Sequence, residues 1–204
     1  MNQSNRSIRR RLLTFAAVAL VSLTASACGS EQASSLAAPA DQAPPGPVQT
    51  LDAATLRAGQ AVPAPTTTPV LTLTGTITNR NAKNGLRLDP ALLDQMGVVR
   101  VEIYDPWTKA RLPFRGVGLA DLLNVAGAAP KATKVHLTAL DDYEVDLTMD
   151  QVQAGGIFLA TRNGDGSDIR VDKGGPTRIV FLDDVPSGEN PDQWIWSLAT
   201  IEVR

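Results

Sequence analysis

A break in composition near residue 70 constrains this chain most. Residues 29–69 hold seven of the fourteen prolines and ten alanines, without one aromatic side chain. Residues 70–204 carry all three tryptophans. A stretch poor in large apolar groups cannot bury enough surface to offset the entropy of ordering, so 28–69 is expected to be a tether. The folding unit is then expected over 70–204, an ordinary length for one domain.

What precedes the tether reads as an address. Arg9, Arg10 and Arg11 are followed by an apolar run over 12–23 and then by Thr24, Ala25, Ser26, Ala27 and Cys28. A basic head, a short apolar stretch and small residues before a cut site form the pattern of a secretory signal. The run is shorter than the roughly 20 residues a spanning helix needs. Ala25-Ser26-Ala27-Cys28 resembles a bacterial lipobox, which implies cleavage after residue 27 and a lipid on Cys28. Ordinary secretion is the alternative. The expectation is an exported lipoprotein, held at the outer face of the cytoplasmic membrane or in the periplasm or outer membrane. Net charge is −2 overall, but residues 1–27 hold four arginines and no acid; without them the balance falls to −6. A chain that acidic is not expected to bind nucleic acid.

Within 70–204, periodicity predicts strands at 70–78, 98–104, 134–140, 143–147, 157–161, 177–182 and 197–203. Asp89-Pro90 predicts a capped helix start, with Gly97 as its stop. Leu119, Leu122, Leu123 and Ala126 predict a short helix closed by Gly127. Thr148 and Gln151 have capping-box spacing. Many strands with three short helices define an α+β domain rather than a βαβ array.

Most standard chemistries find no footing. The only histidine, His136, falls on the polar face of an alternating strand, and the only cysteine is Cys28. A serine triad and a catalytic zinc site therefore lack their parts. Residues 163–168 superficially resemble a calcium loop, but Asp168 and Gly174 stand where glycine and glutamate are required. Gly116-Val117-Gly118 lacks the third glycine of a dinucleotide loop. The unusual feature is aromatic placement: the tryptophans sit in Asp105-Pro106-Trp107-Thr108 and in Asp192-Gln193-Trp194-Ile195-Trp196. Trp194 and Trp196 are expected to share one face of a strand, and Trp107 to occupy a loop, where a large ring needs a packing partner or a ligand.

In their order, several segments resemble the sulfite-oxidase-type molybdopterin-binding fold. They are Leu73-Thr74-Gly75-Thr76-Ile77, Asp105-Pro106-Trp107-Thr108, residues 114–123 beginning Phe114-Arg115-Gly116, Asp141-Asp142-Tyr143, Ile157-Phe158-Leu159-Ala160, Asp172-Lys173-Gly174-Gly175-Pro176 and the closing residues 194–203. The similarity is strongest to the short exported branch of the family, covers about 70–204, and implies mixed sheets with short helices. Catalytic members of the family hold molybdenum through the pterin dithiolene and one cysteine thiolate. No cysteine lies in 70–204, so the resemblance provides no metal ligand, and no metal is expected. A pterin or molybdopterin-like ligand remains possible. The loop after Asp172-Lys173 is one glycine longer than the family pattern, and Asp141 replaces the customary asparagine.

Recognition of a pterin needs a π-face and a carboxylate that accepts from adjacent N–H groups. Trp107 and Tyr143 are expected to supply the face, Asp142 or Asp172 the carboxylate, and Arg115, Arg162 and Lys173 contacts to a phosphate or polar tail. For each residue a packing or turn role stays open. Three functions follow: a non-catalytic binder of a pterin-like molecule serving an envelope signalling partner, a molybdopterin-dependent oxidoreductase, or a ligand-free interaction module.

Overall fold

The computed structural model describes residues 47–204. The signal segment, Cys28 and the first part of the expected tether lie outside the described residues. Elements follow in the order β1 (Val48–Asp52), β2 (Leu71–Gly75), β3 (Leu86–Leu88), α1 (Pro90–Asp94), β4 (Val98–Asp105), β5 (Ala110–Gly118), α2 (Leu119–Ala126), β6 (Lys134–Ala139), β7 (Glu144–Thr148), α3 (Met149–Gln153), β8 (Ile157–Asn163), β9 (Arg178–Phe181) and β10 (Leu198–Val203), with short 3-10 turns at Val171–Lys173, Pro186–Glu189 and Pro191–Gln193.

The strands form two five-stranded sheets, β1-β4-β5-β8-β9 and β3-β2-β10-β6-β7. Pairing is antiparallel throughout the first sheet. In the second only β10 and β2 run parallel. Alternation explains the inner faces. In β6, Val135, Leu137 and Ala139 are buried while Lys134, His136 and Thr138 face outward. Side chains of both sheets and of α2 enter one apolar core, which includes Leu73, Ile103, Val117, Leu122, Leu137, Leu159, Ile179 and Ile201. The fold is thus mixed β-sheet with a few short helices, in line with the α+β expectation.

Local chemistry sets the helix ends. Asp89 caps α1 by accepting from Leu92 N at 2.9 Å, with Pro90 in the first turn. Gly127 ends α2 in the left-handed region at φ 66°, a conformation glycine adopts without steric penalty. The α3 capping box forms in both directions, Gln151 N to Thr148 Oγ1 at 3.1 Å and Thr148 N to Gln151 Oε1 at 2.7 Å.

Four expectations require correction. First, the end of the expected 28–69 tether is ordered over 47–69. Strand β1 pairs with β4, Thr55 N and Leu56 N donate to Gln95 O, and Leu56 and Val62 are buried in the core. Two apolar anchors and backbone hydrogen bonds offset an ordering entropy that composition alone left unmatched. Second, β5 was not expected as a strand. Pro113, Gly116 and Gly118 obscure its pattern, yet it pairs with β4 from Asp105↔Ala110 to Val99↔Gly116. Third, Trp194 and Trp196 do not lie on a strand. They follow the Pro191–Gln193 turn and precede β10. Fourth, the strand expected over 70–78 stops at Gly75. Among the described residues no helix is long and apolar enough to cross a membrane.

Candidate functional site

The hairpin turn between β4 and β5 projects Trp107. Asp105 closes that turn: its Oδ1 accepts from Trp107 N at 3.0 Å, Thr108 N at 2.9 Å and Thr108 Oγ1 at 3.2 Å. The segment between the Pro191–Gln193 turn and β10 supplies the other two indoles. Trp194 is 5% exposed and donates its Nε1–H to Gly188 O at 2.9 Å. Trp107 meets both edge-on, with centroids 5.5 Å from Trp194 at 75° and 5.6 Å from Trp196 at 63°. Such T-shaped pairs place the positive edge of one ring against the negative face of another. Phe181 backs Trp194 at 5.3 Å.

Behind this cluster lies a buried ion pair. Arg178, at the head of β9, is 3.1 Å from Asp105 Oδ2, and the two side chains are only 3% and 1% exposed. The guanidinium carbon sits 4.5 Å from the Trp196 ring centroid and 5.2 Å from that of Phe114. Burial pulls the Arg178 pKa below its ordinary value, and Asp105 pulls it back only in part. Gly174 lies against the same indole, since a Cβ there would fall 2.8 Å from Trp196 Cγ. At φ 87° and with Gly174 O accepting from Ser197 N, this position is closed to larger residues.

Trp107, Trp194 and Trp196 line a cleft of about 380 Å³ together with Asp141, Tyr143, Pro191 and Asp192. Tyr143 is fixed at its far wall by a 2.7 Å hydrogen bond from its hydroxyl to Asp192 O. Both Trp107 and Tyr143 stay nearly half exposed, at 46% and 44%. Large rings held in place yet open to water leave π-faces free for a guest.

The other residues singled out from sequence fall elsewhere. Asp142 takes a left-handed turn conformation at φ 66°, and its neighbour Asp141 lines the cleft instead. Asp172 is exposed and bound to Arg170 at 2.8 Å, which lowers its pKa. Lys173 shares that 3-10 turn and does not line the cleft. Arg115 and Arg162, cross-strand neighbours on β5 and β8, line a separate polar cleft of about 490 Å³ with Asp52, Thr55 and Asp94. Arg162 is engaged there by Asp94 at 2.5 and 2.8 Å, and the hydrogen bond raises its pKa. Arg115 donates its Nε–H to Gly164 O at 3.0 Å.

Sequence reasoning missed Arg178 and the partnership that makes Asp105 structural. One signal was available: a cation heading the otherwise apolar run Arg178-Ile179-Val180-Phe181 needs a buried counter-charge.

Comparison with known proteins agrees with this architecture. The family described as "Oxidoreductase molybdopterin binding domain" matches residues 94–195, half of the chain. The protein belongs to that family. The crystal structure of the sulfane dehydrogenase SoxCD from Paracoccus pantotrophus is similar in fold, with a TM-score of 0.50 and 17% identity over 65% of this chain and 37% of that one. This chain therefore spans little more than a third of that protein. No curated protein matches the sequence.

The family name implies a pterin cofactor, whose molybdenum takes a cysteine thiolate in catalytic members. The donors around the cleft do not fit that metal. They are two carboxylates, a phenol and indoles, with no thiol in 47–204. Among the described residues no group of three or more His, Cys, Asp or Glu is placed to hold a metal ion. The organic ring is a different matter: indole and phenol faces beside carboxylate acceptors suit a flat heterocycle with an N–H edge.

Proposed function

We propose that this chain is a lipid-anchored cell-envelope protein whose domain binds a pterin-like small molecule without turning it over. The reading rests on one observation: an open cleft walled by Trp107, Tyr143, Trp194 and Trp196, in a domain of this family that has no thiol to offer a metal. The ring would stack on the indole and phenol faces, each good contact adding about 0.5–1.5 kcal/mol beyond burial. Its amino and amide N–H groups would donate to Asp141 or Asp192, a charge-assisted contact of about 1.5–3 kcal/mol. The buried Asp105–Arg178 pair holds the Trp107 turn against Trp196, so the walls need not reorganise when a guest enters.

Anchoring through Cys28 would keep the domain at the membrane surface, where a bound ring can be presented to an envelope signalling partner. The lipobox-like residues 25–28 and the absence of a domain thiol support this arrangement.

Native mass spectrometry and metal analysis of the full chain extracted from the cell envelope test the reading. The expected result is a copurifying organic pterin at substoichiometric or stoichiometric level, without molybdenum. One tightly held molybdenum per chain with oxidoreductase turnover overturns it in favour of an enzyme. Absence of any ring ligand, with reduced pterins leaving tryptophan fluorescence and melting temperature unchanged, overturns it in favour of a ligand-free module.

A further inference from the structure

The charged groups lining the aromatic cleft are of one sign. Asp141 and Asp192 accompany the three indoles, Tyr143 and Pro191, and no lysine or arginine is among the lining residues. Neither carboxylate forms an ion pair among the described residues. The neighbouring cations are committed or turned elsewhere. Arg178 lies behind Trp196 and is bound to Asp105. Arg170 is bound to Asp172. Arg115 and Arg162 belong to the other cleft. Lys109, two residues from Trp107 in the same exposed turn, and Lys173 form no ion pair among the described residues, but neither is among the lining residues.

Two independent effects then act in the same direction. Unpaired carboxylates at the rim attract positive charge and repel negative charge. The faces of indole and phenol rings carry a negative quadrupole and do the same at short range. From this charge pattern we infer that the cleft sorts flat-ring ligands by charge, admitting neutral or cationic rings and rejecting those that carry a phosphate, with Asp141 and Asp192 as the specificity-determining residues. The inference rests on the ring-binding reading of the cleft. It also separates this protein from its family name, because molybdopterin carries a phosphate and no cation lines the cleft to receive it.

Fluorescence titration of the full chain in detergent with three probes provides the test: neopterin, its phosphate monoester, and benzyltrimethylammonium as a ring with a fixed positive charge. Neopterin and the cation are expected to quench tryptophan emission. The phosphate ester is expected to bind about tenfold more weakly, a gap that shrinks as salt rises. In the Asp141→Asn/Asp192→Asn double variant both pterins lose the charge-assisted part of their hydrogen bonds alike, while only the phosphate ester is relieved of repulsion, so the gap between the two should fall to about twofold even as neopterin itself binds more weakly. If that double variant melts early, Asp192→Asn alone serves, since its backbone carbonyl still receives Tyr143. Equal or tighter binding of the phosphate ester, or a gap unchanged in the variants, overturns the inference. Binding of benzyltrimethylammonium but not neopterin, lost in the double variant, keeps the charge rule and removes the pterin. Silence from all three probes removes both.

Discussion

Arg178 donates to Asp105 across 3.1 Å inside a site that excludes water, and the same carboxylate shapes the turn that carries Trp107. The pair therefore links strand β9 to the hairpin β4–β5 beneath the aromatic cleft. Removing one partner strands the other charge in a low-dielectric setting, which costs about 3–5 kcal/mol. Arg178→Met is expected to lose that much in denaturant unfolding. It should also shift tryptophan emission to the red as Trp196 loses its cation and Trp107 its anchored turn. The Asp105→Asn/Arg178→Met pair should be destabilised by clearly less than the sum of the two single variants. Additive losses would show that the two side chains do not act as a unit.

The three tryptophans separate stability from recognition. Trp194 is buried and backed by Phe181, so Trp194→Ala leaves a cavity and should cost about 3–5 kcal/mol. Trp107 is half open, and Trp107→Ala should cost no more than about 1–2 kcal/mol of stability. Its effect belongs in binding, where loss of one wall should weaken a reduced pterin about tenfold or more, as measured by calorimetric titration. A Trp107→Ala protein that binds a pterin as tightly as the parent would remove this residue from the site.

The fold was legible wherever one physical signal decided the local structure. Alternation marked β2, β6 and β10, caps marked α1 and α3, and Gly127 marked the end of α2. It was illegible where the deciding partner is distant. Strand β1 has mostly exposed residues and exists because β4 offers it an edge. Strand β5 hides behind Pro113 and its glycines. The site divided in the same way. Trp107 stood out by its placement in a polar turn and Tyr143 by the family-like turn Asp141-Asp142-Tyr143, and the structure brings the two to one cleft. The choice of Asp141 over Asp142 depends on one left-handed turn residue in the β6–β7 connection, a detail that two adjacent aspartates do not encode. Arg115, Arg162, Asp172 and Lys173 attracted attention by charge, but Arg162 and Asp172 spend theirs on local partners.

The ordered segment 47–69 is expected to contribute to stability although its composition is that of a linker. Leu56 and Val62 are buried against the core. Leu56→Ala should lower the unfolding free energy of the full chain by about 2–4 kcal/mol, and Val62→Ala by somewhat less. Hydrogen exchange should find the Leu56 amide protected, because it donates to Gln95 O at 2.8 Å. Rapid exchange there, with Leu56→Ala neutral, would return the segment to the status of a tether.

Asp89 makes acid stability a readout of the contact between this segment and α1. Its side chain is sealed from water, and burial by itself would raise its pKa. Opposing that, Oδ1 accepts from Leu92 N while Oδ2 accepts from the backbone and hydroxyl groups of Thr66 and Thr67, and the pKa falls from 3.8 to about 2. A carboxylate with a folded-state pKa below its unfolded one contributes stability that is fully present above 3.8 and is lost as pH falls toward 2. The difference corresponds to about 2 kcal/mol. Asp89→Asn removes this dependence and places an amide N–H₂ where donors converge. The gap in unfolding free energy between parent and variant should accordingly be constant from about pH 5 to 8 and should narrow steadily below about pH 4. Because Thr66 and Thr67 belong to the segment and Leu92 to α1, Thr66→Ala should narrow the same gap in part at neutral pH. A gap that does not change between neutral pH and acid would mean that the five donors do not hold this carboxylate ionised.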